Sequence, residues 1–396
     1  MADIAAIQSA VSEQSLWLHE ALRSLVLIES PSDSKPAVDR CMAVAESLAA
    51  APAGTHPRMG DPAAVAAGLA VRARRHKQKH FGDVLELKFG PARSRRKPIL
   101  LLGHLDTVWP LGTLASMPYL EADGRLYGPG VLDMKAGVAM ALAAIRALQQ
   151  VGVSRPVTLL LNSEEEVGSP VSRPITERLA LASSAVLVLE PAQGLACKTA
   201  RKGVGNYRLD VTGVAAHSGV DFERGHSAIL ELARLLETVA TFTDTRIGRT
   251  VNPGVIAGGT RSNVVAAHAF AEVDVRIARA SDAQKVDKLF RRLRCADPAC
   301  ALTVSGGLNR PPMERKSGTV ALYKQARALA AEIGFRLDEA ATGGGSDGNF
   351  TAALGIPTLD GLGAVGEGAH APHESILIEH LIPRTALLAG LIATLP

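Results

Sequence analysis

Two histidines and a set of carboxylates give the first chemical hint in this chain of 396 residues. Four apolar runs each lead into such a residue. PILLLG (98–103) is followed by His104-Leu105-Asp106, and VTLLL (157–161) by Asn162, Ser163 and the triplet Glu164-Glu165-Glu166. AVLVL (185–189) leads to Glu190, and GIPTLD (355–360) to a glycine-rich stretch ending at His370. Asp133, in YGPGVLDMKAG, stands at the head of a long apolar helix, where an acid meets the positive end of the helix dipole. Taken singly, a carboxylate after a strand is usually a cap or a surface group, and a lone histidine is usually structural. Taken together, two His and three or more carboxylates without Cys form the donor set of zinc, cobalt or manganese held through N and O. A carboxylate shared by two ions ~3.5–4 Å apart would make a two-metal hydrolase site. Three acids in a row repel one another in an apolar pocket, and bound cations offset that cost.

The elements that must position these residues follow from the apolar pattern. LWLHEALRSLVLI and the stretch from Pro36 through CMAVAESLAAA predict two helices in the first ~60 residues. Strand-length runs follow at VLELKFG, PILLLG, VTLLL and AVLVLE, with the helix MKAGVAMALAAIRALQQVG between the second and third. Strands alternating with helices predict an α/β layer fold with a largely parallel sheet. In such sheets ligands sit at the carboxyl ends of the strands, where the His and acidic residues fall. Past residue 203 the order becomes strand 204–212, helix, strand 253–257, strand 268–277, charged helix and strand ALTVS. That βαββαβ order is the ferredoxin-like pattern. Alternation resumes after Pro312. The expected organisation is an α/β domain in two parts, 1–202 and 312–396, with an α+β domain inserted at 203–311.

Composition narrows the class. Hydrophobic residues make up 47% and charged residues 21%, which excludes a disordered or fibrous chain. No apolar run reaches the ~18 residues of a membrane span, and Asp3 stands where a secretory leader would carry Lys or Arg. Cys41, Cys197, Cys295 and Cys300 form no CxxC and no disulfide framework, so the cytoplasm is the expected compartment. The net charge of +4 is uneven: residues 71–97 carry ten Lys/Arg against Asp83 and Glu86, or +8, and the remainder 33 against 37, or −4. VRARRHKQKH could serve as a nucleic-acid patch. It lacks interleaved aromatic residues, so a solvated surface segment is the expectation and nucleic acid is not an expected partner.

Nine short stretches in order carry a resemblance: GHLDTV (103–108), GPGVLDMKAG (128–137), EEEVGS (164–169), LEP (189–191), AAHSG (215–219), GGTRSNVV (258–265), GGLNRPPM (306–313), GGGSDGN (343–349) and GEGAHAPHE (366–374). The sequence resembles the di-zinc family of glutamate carboxypeptidase, acetylornithine deacetylase and succinyl-diaminopimelate desuccinylase, over nearly the whole chain. It looks most like the glutamate carboxypeptidase branch. The resemblance implies a mixed-sheet di-zinc hydrolase domain with an inserted ferredoxin-like lid and dimerisation domain. It implies that His104 and Glu190 hold one divalent ion, that Glu166 and His370 hold the other, and that Asp133 bridges both. The ions would be zinc, with cobalt or manganese as alternatives. Glu165 would be the general base, and Asp106 would hydrogen-bond the other ring nitrogen of His104. A cis peptide would follow Asp133. The triplet opens with Glu164 where the family more often has Asp, and His373 competes with His370, the spacing to Glu374 favouring His370.

The same resemblance implies that His217 reaches into a partner subunit's active site, and that Asn263, Arg276 and Arg310 contact substrate. Arg310 would grip a free carboxylate, since a guanidinium pairs with one in bidentate fashion. GGGSDGN lacks the GxxxxGKS/T layout of a phosphate loop and is read as a tight turn whose N–H groups line the substrate pocket. The implied activity is amide hydrolysis releasing a C-terminal, glutamate-like amino acid from a peptide or N-acyl amino acid, by a homodimer. A deacylase or dipeptidase is the alternative. A non-catalytic metal- or peptide-binding descendant is the remote rival, and the presence of Glu165 and Asp133 argues against it.

Overall fold

The structure, a computed structural model, describes residues 3–51, 71–91 and 93–396. The chain divides into two compact units. One comprises Met1–Thr199, Arg315–Ala341 and Ser346–Pro396, and the other Ala200–Glu314 with Thr342–Gly345.

The first unit is built on a six-stranded mixed sheet, in the order Arg72–His76, Val84–Phe89, Val157–Asn162, Ile99–His104, Ala185–Val188, Thr358–Leu359. The last four strands run parallel to one another, and Val84–Phe89 is antiparallel to both its neighbours, Arg72–His76 and Val157–Asn162. Val157–Asn162, Ile99–His104 and Ala185–Val188 are buried at every position. Strands covered on both faces read as unbroken apolar runs, which is why they stood out in the sequence. The helix Ala136–Gln150 has thirteen of its fifteen residues buried, and its alanines let neighbouring helices approach closely. At Gly137 an added Cβ would lie 2.1 Å from the Leu189 carbonyl oxygen, so only glycine allows the helix to meet the segment carrying Glu190.

Three helices, Ile4–Glu13, Ser15–Val26 and Lys35–Ala50, precede the sheet, one more than expected. The additional helix starts at Asp3, whose carboxylate accepts the Ala6 N–H (3.1 Å) as an N-cap. The basic run is also more ordered than expected. Arg72–His76 forms the edge strand, pairing antiparallel with Val84–Lys88. Three basic groups here are paired: Arg75 with Glu46 (2.7 Å), His76 with Glu86 (2.8 Å) and the adjacent Lys77 with Asp83 (2.6 Å). Burial pushes the Asp83 carboxyl up, but Lys35 and Lys77 outweigh it and hold the group at about 2. A charged edge protects the sheet from further strand pairing.

The second unit is a four-stranded antiparallel sheet in the order Thr250–Gly258, His268–Ile277, Gly203–Thr212, Ala301–Arg310. The helices Ala228–Ala240 and Ala283–Arg291 complete the βαββαβ order of a ferredoxin-like domain. Strand residues alternate between buried and exposed. The inward set packs with Leu232 and Phe290, whose ring stacks on Tyr207 at 3.9 Å. Among the described residues no helix is long and apolar enough to cross a membrane.

Candidate metal centre

His104 ends the Ile99–His104 strand, next to Asn162 at the end of the neighbouring parallel strand. Its Nδ1 lies 3.0 Å from the Asp106 backbone carbonyl and 3.4 Å from the Asp106 carboxylate. The carbonyl is thus the closer of the two Asp106 groups. The carboxylate is used elsewhere: it accepts the N–H groups of Glu165 and Glu166 (3.1 Å each) and the Ser32 hydroxyl (2.7 Å). Asp106 therefore fixes both the His104 ring and the backbone of the acidic triplet.

With Nδ1 donating to the carbonyl, Nε2 is the nitrogen that faces the acids. It lies 3.3 Å from Asp133 Oδ1 and 3.6 Å from Glu190 Oε1. On the other side His370 Nε2 lies 3.4 Å from Asp133 Oδ2 and 3.2 Å from Glu166 Oε2. Each Asp133 oxygen thus serves one His–Glu pair. The Asp133–Met134 peptide is cis, and Asp133 departs from helical geometry (φ −114°, ψ 93°) ahead of the helix. His370 has a left-handed backbone (φ 63°).

Fit to a cation can be judged from the polar atoms. His104 Nε2, Asp133 Oδ1 and Glu166 Oε1 are buried and make no hydrogen bond within the chain. Stranded polar atoms that converge in this way are costly unless something else binds them. Charge tells the same story. Asp133 and Glu166 push the His370 imidazole up to about 10. Burial pulls His104 down, but Asp106, Asp133 and Glu190 together carry it well above its usual value. Burial raises Asp133, and the two histidines more than reverse that, holding it far below the carboxylate range. The site calls for positive charge between the two rings, and a divalent cation supplies it in place of protons.

Ligand-type atoms of His104, Glu165 and Glu190 lie within 4.8 Å of one another, as do those of His104, Asp133 and Glu166. Glu165 is therefore beside the cluster, on the short turn Glu165–Val167. Glu164 is not: fully buried, it turns away to accept Ser172 N–H (2.6 Å), Val171 N–H (3.2 Å) and the Ser163 hydroxyl (2.6 Å). His373 is exposed and has no part in the cluster.

His217, Asn263, Arg276 and Arg310 belong to the second unit. His217 and Asn263 are exposed and adjacent, with Ser218 N–H donating to the Asn263 carbonyl (3.1 Å). Arg276 and Arg310 flank Val204 in one rung of the sheet. Arg276 chelates Asp274 and reaches the Gly343 carbonyl (3.4 Å), while Arg310 is buried. A Cβ at Gly345 would lie 3.0 Å from Arg310 Cδ and 2.8 Å from Val204 Cγ2. At this glycine stretch the backbone carbonyls face arginine side chains. Sequence reasoning missed Arg201, which donates to the Gly344 and Gly345 carbonyls (3.3 and 3.0 Å). Its only signal was its place at the head of the RKGVG stretch (201–205) that opens the second unit's first strand.

A mixed sheet whose parallel strands lead into His and carboxylates around one Asp, with an inserted ferredoxin-like unit, is the architecture of a metal-dependent hydrolase. Residues 100–394 match the model of peptidase family M20/M25/M40, and the chain belongs to that family. It is 30% identical to carboxypeptidase G2 of Pseudomonas sp. (strain RS-16) over 388 residues, 93% of this chain and 91% of that one. Its fold is similar to that of an M20 family metallo-carboxypeptidase, Sso-CP2, from Sulfolobus solfataricus (TM-score 0.72, 18% identity, 95% of this chain and 98% of that one). It is similar also to YXEP of Bacillus subtilis, a dinuclear metal-binding peptidase (TM-score 0.66, 14% identity, 96% and 98%).

Proposed function

We propose that this chain hydrolyses the amide bond joining a C-terminal acidic amino acid, glutamate or a close relative, to a peptide or an N-acyl group. The observation that carries the metal chemistry is the placing of one Asp133 oxygen toward each His–Glu pair. His104 and Glu190 would hold one divalent ion, His370 and Glu166 the other, and Asp133 both. The N and O donors suit zinc, with cobalt or manganese as substitutes. Bound there, such ions lower the pKa of water toward ~7 and polarise a carbonyl oxygen.

The chain supplies the rest. Glu165, beside His104 and Glu190, accepts the proton of the attacking water and delivers it to the leaving nitrogen. Asp106 holds the backbone N–H groups of Glu165 and Glu166 and so fixes base and ligand together. Asn263, Arg276 and Arg310 would bind substrate. Acidic specificity is supported by the guanidinium groups of Arg201, Arg276 and Arg310 gathered around the Gly343–Gly345 turn. A substrate with two carboxylates matches that charge.

The same reading includes a homodimer formed through the second unit, with His217 entering the partner's site. Its edge strand Thr250–Gly258 exposes Val255 and Ile256, and Phe222 and Leu230 are also exposed. The cytoplasm is the proposed compartment, in keeping with four free thiols.

A hydrolysis screen of N-acyl amino acids and dipeptides with added zinc, cobalt or manganese tests the reaction. Arg310 tests the substrate class. Arg310→Ala is expected to raise KM strongly, and the same substrate carrying a C-terminal amide should cost the wild type a similar factor. Mutant with amide should lose little more than either change alone. Fully multiplicative losses would show that Arg310 and the carboxylate act independently and would favour a general deacylase.

A further inference from the structure

We infer that Glu374 is a positioning residue for the shared metal ligand: its buried carboxylate orders the loop that aims Asp133. The inference rests on the reading of Asp133 as the bridging ligand. Glu374 is fully buried, four residues beyond His370. Its Oε1 accepts the N–H groups of Leu132 (2.8 Å) and Asp133 (3.0 Å). Its Oε2 accepts the Gly130 N–H (3.0 Å) and the Trp109 indole N–H (2.8 Å). All four partners are donors, so the site requires a group that only accepts.

Neither end of this arrangement is regular backbone. Gly130 is left-handed (φ 72°) and Asp133 is non-helical, so this stretch forms no regular ladder, although Val131 N–H reaches Gly128 O (3.1 Å) and Lys135 N–H reaches Gly130 O (3.0 Å). Glu374 supplies what the ladder does not. The segment that supplies it is itself pinned: Glu374 N–H donates to Ala371 O (2.9 Å), and Ala371 N–H to Gly368 O (2.8 Å). The next residues, Ser375–Leu377, pair with Arg125–Tyr127. One carboxylate thus couples the turn bearing His370 to the loop bearing Asp133, the two groups whose side chains approach at 3.4 Å. Trp109 ties the segment that follows Asp106 to the same carboxylate.

Glutamine is the informative substitute. It keeps the volume but brings an NH2 group, which must face two of the four donors and leave them unsatisfied. Zinc titration of the metal-free wild type and Glu374→Gln, followed by the visible spectra of their cobalt forms and the melting of the metal-free forms, tests the inference. The Gln variant is expected to fold, to bind zinc ~10–100-fold more weakly, and to show an altered cobalt spectrum. Its kcat should fall with KM little changed, and Glu374→Asp, which keeps the acceptors, should recover part of the affinity. Two ions bound at wild-type affinity with an unchanged cobalt spectrum would overturn the inference. Should the Gln variant not fold, Trp109→Phe decides, because it removes a single donor: a shifted cobalt spectrum supports the coupling and an unshifted one overturns it. A wild type that binds no zinc would instead overturn the metal-centre reading itself, an outcome distinct from an indifferent Gln variant.

Discussion

Asp133→Ala is expected to purify with neither metal ion and to have no measurable hydrolase activity. Its two oxygens face His104 at 3.3 Å and His370 at 3.4 Å, so truncation leaves each half with one His and one Glu. Two close cations would also lose the anion between them, and their mutual repulsion would go uncompensated. The loss of affinity should exceed the ~10–100-fold that removal of an outer-sphere partner costs. Plasma mass spectrometry after dialysis reads the result as a fall from two ions per chain toward none. A variant that keeps both ions would remove Asp133 from the bridging role.

Glu165→Gln should separate metal binding from proton transfer. The amide occupies the same volume and is not one of the groups proposed to hold an ion, so the expected metal content is unchanged. It cannot take a proton at neutral pH, and general acid–base help contributes ~100- to 10,000-fold. That loss should fall on kcat, with KM nearly unchanged. Glu164 is a poor substitute, since its carboxylate is buried against Ser163, Val171 and Ser172. Near-normal turnover by the Gln variant, read from initial rates, would move the base elsewhere.

The parts of this protein legible in the sequence share a physical cause. Ile99–His104 and Val157–Asn162 are covered on both faces and so appear as unbroken apolar runs ending in polar residues. His268–Ile277 alternates because one of its faces is solvated. Arg72–His76 carries no such signal. It is a strand because Val84–Lys88 pairs with it, and edge position lets it be basic. Ile4–Glu13 is short, with four buried residues, and its cap at Asp3 is a single hydrogen bond. The candidate ligands could be found because each follows an apolar run. Glu374 stands in the GEGAHAPHE stretch, but its role could not be read there: its partner Asp133 is 241 residues away, and no local pattern marks a carboxylate that serves distant backbone. Likewise the gathering of Arg201 and Arg276 at Gly343–Gly345 is tertiary.

Asp133 is proposed to join two cation sites, each completed by one His and one Glu. Anomalous diffraction from crystals grown with zinc, recorded above and below the zinc edge, tests it most directly. The expected map has two peaks ~3.5–4 Å apart. One should lie against His104 and Glu190, the other against His370 and Glu166, with Asp133 touching both. A single peak, or two peaks of which only one touches Asp133, would contradict it.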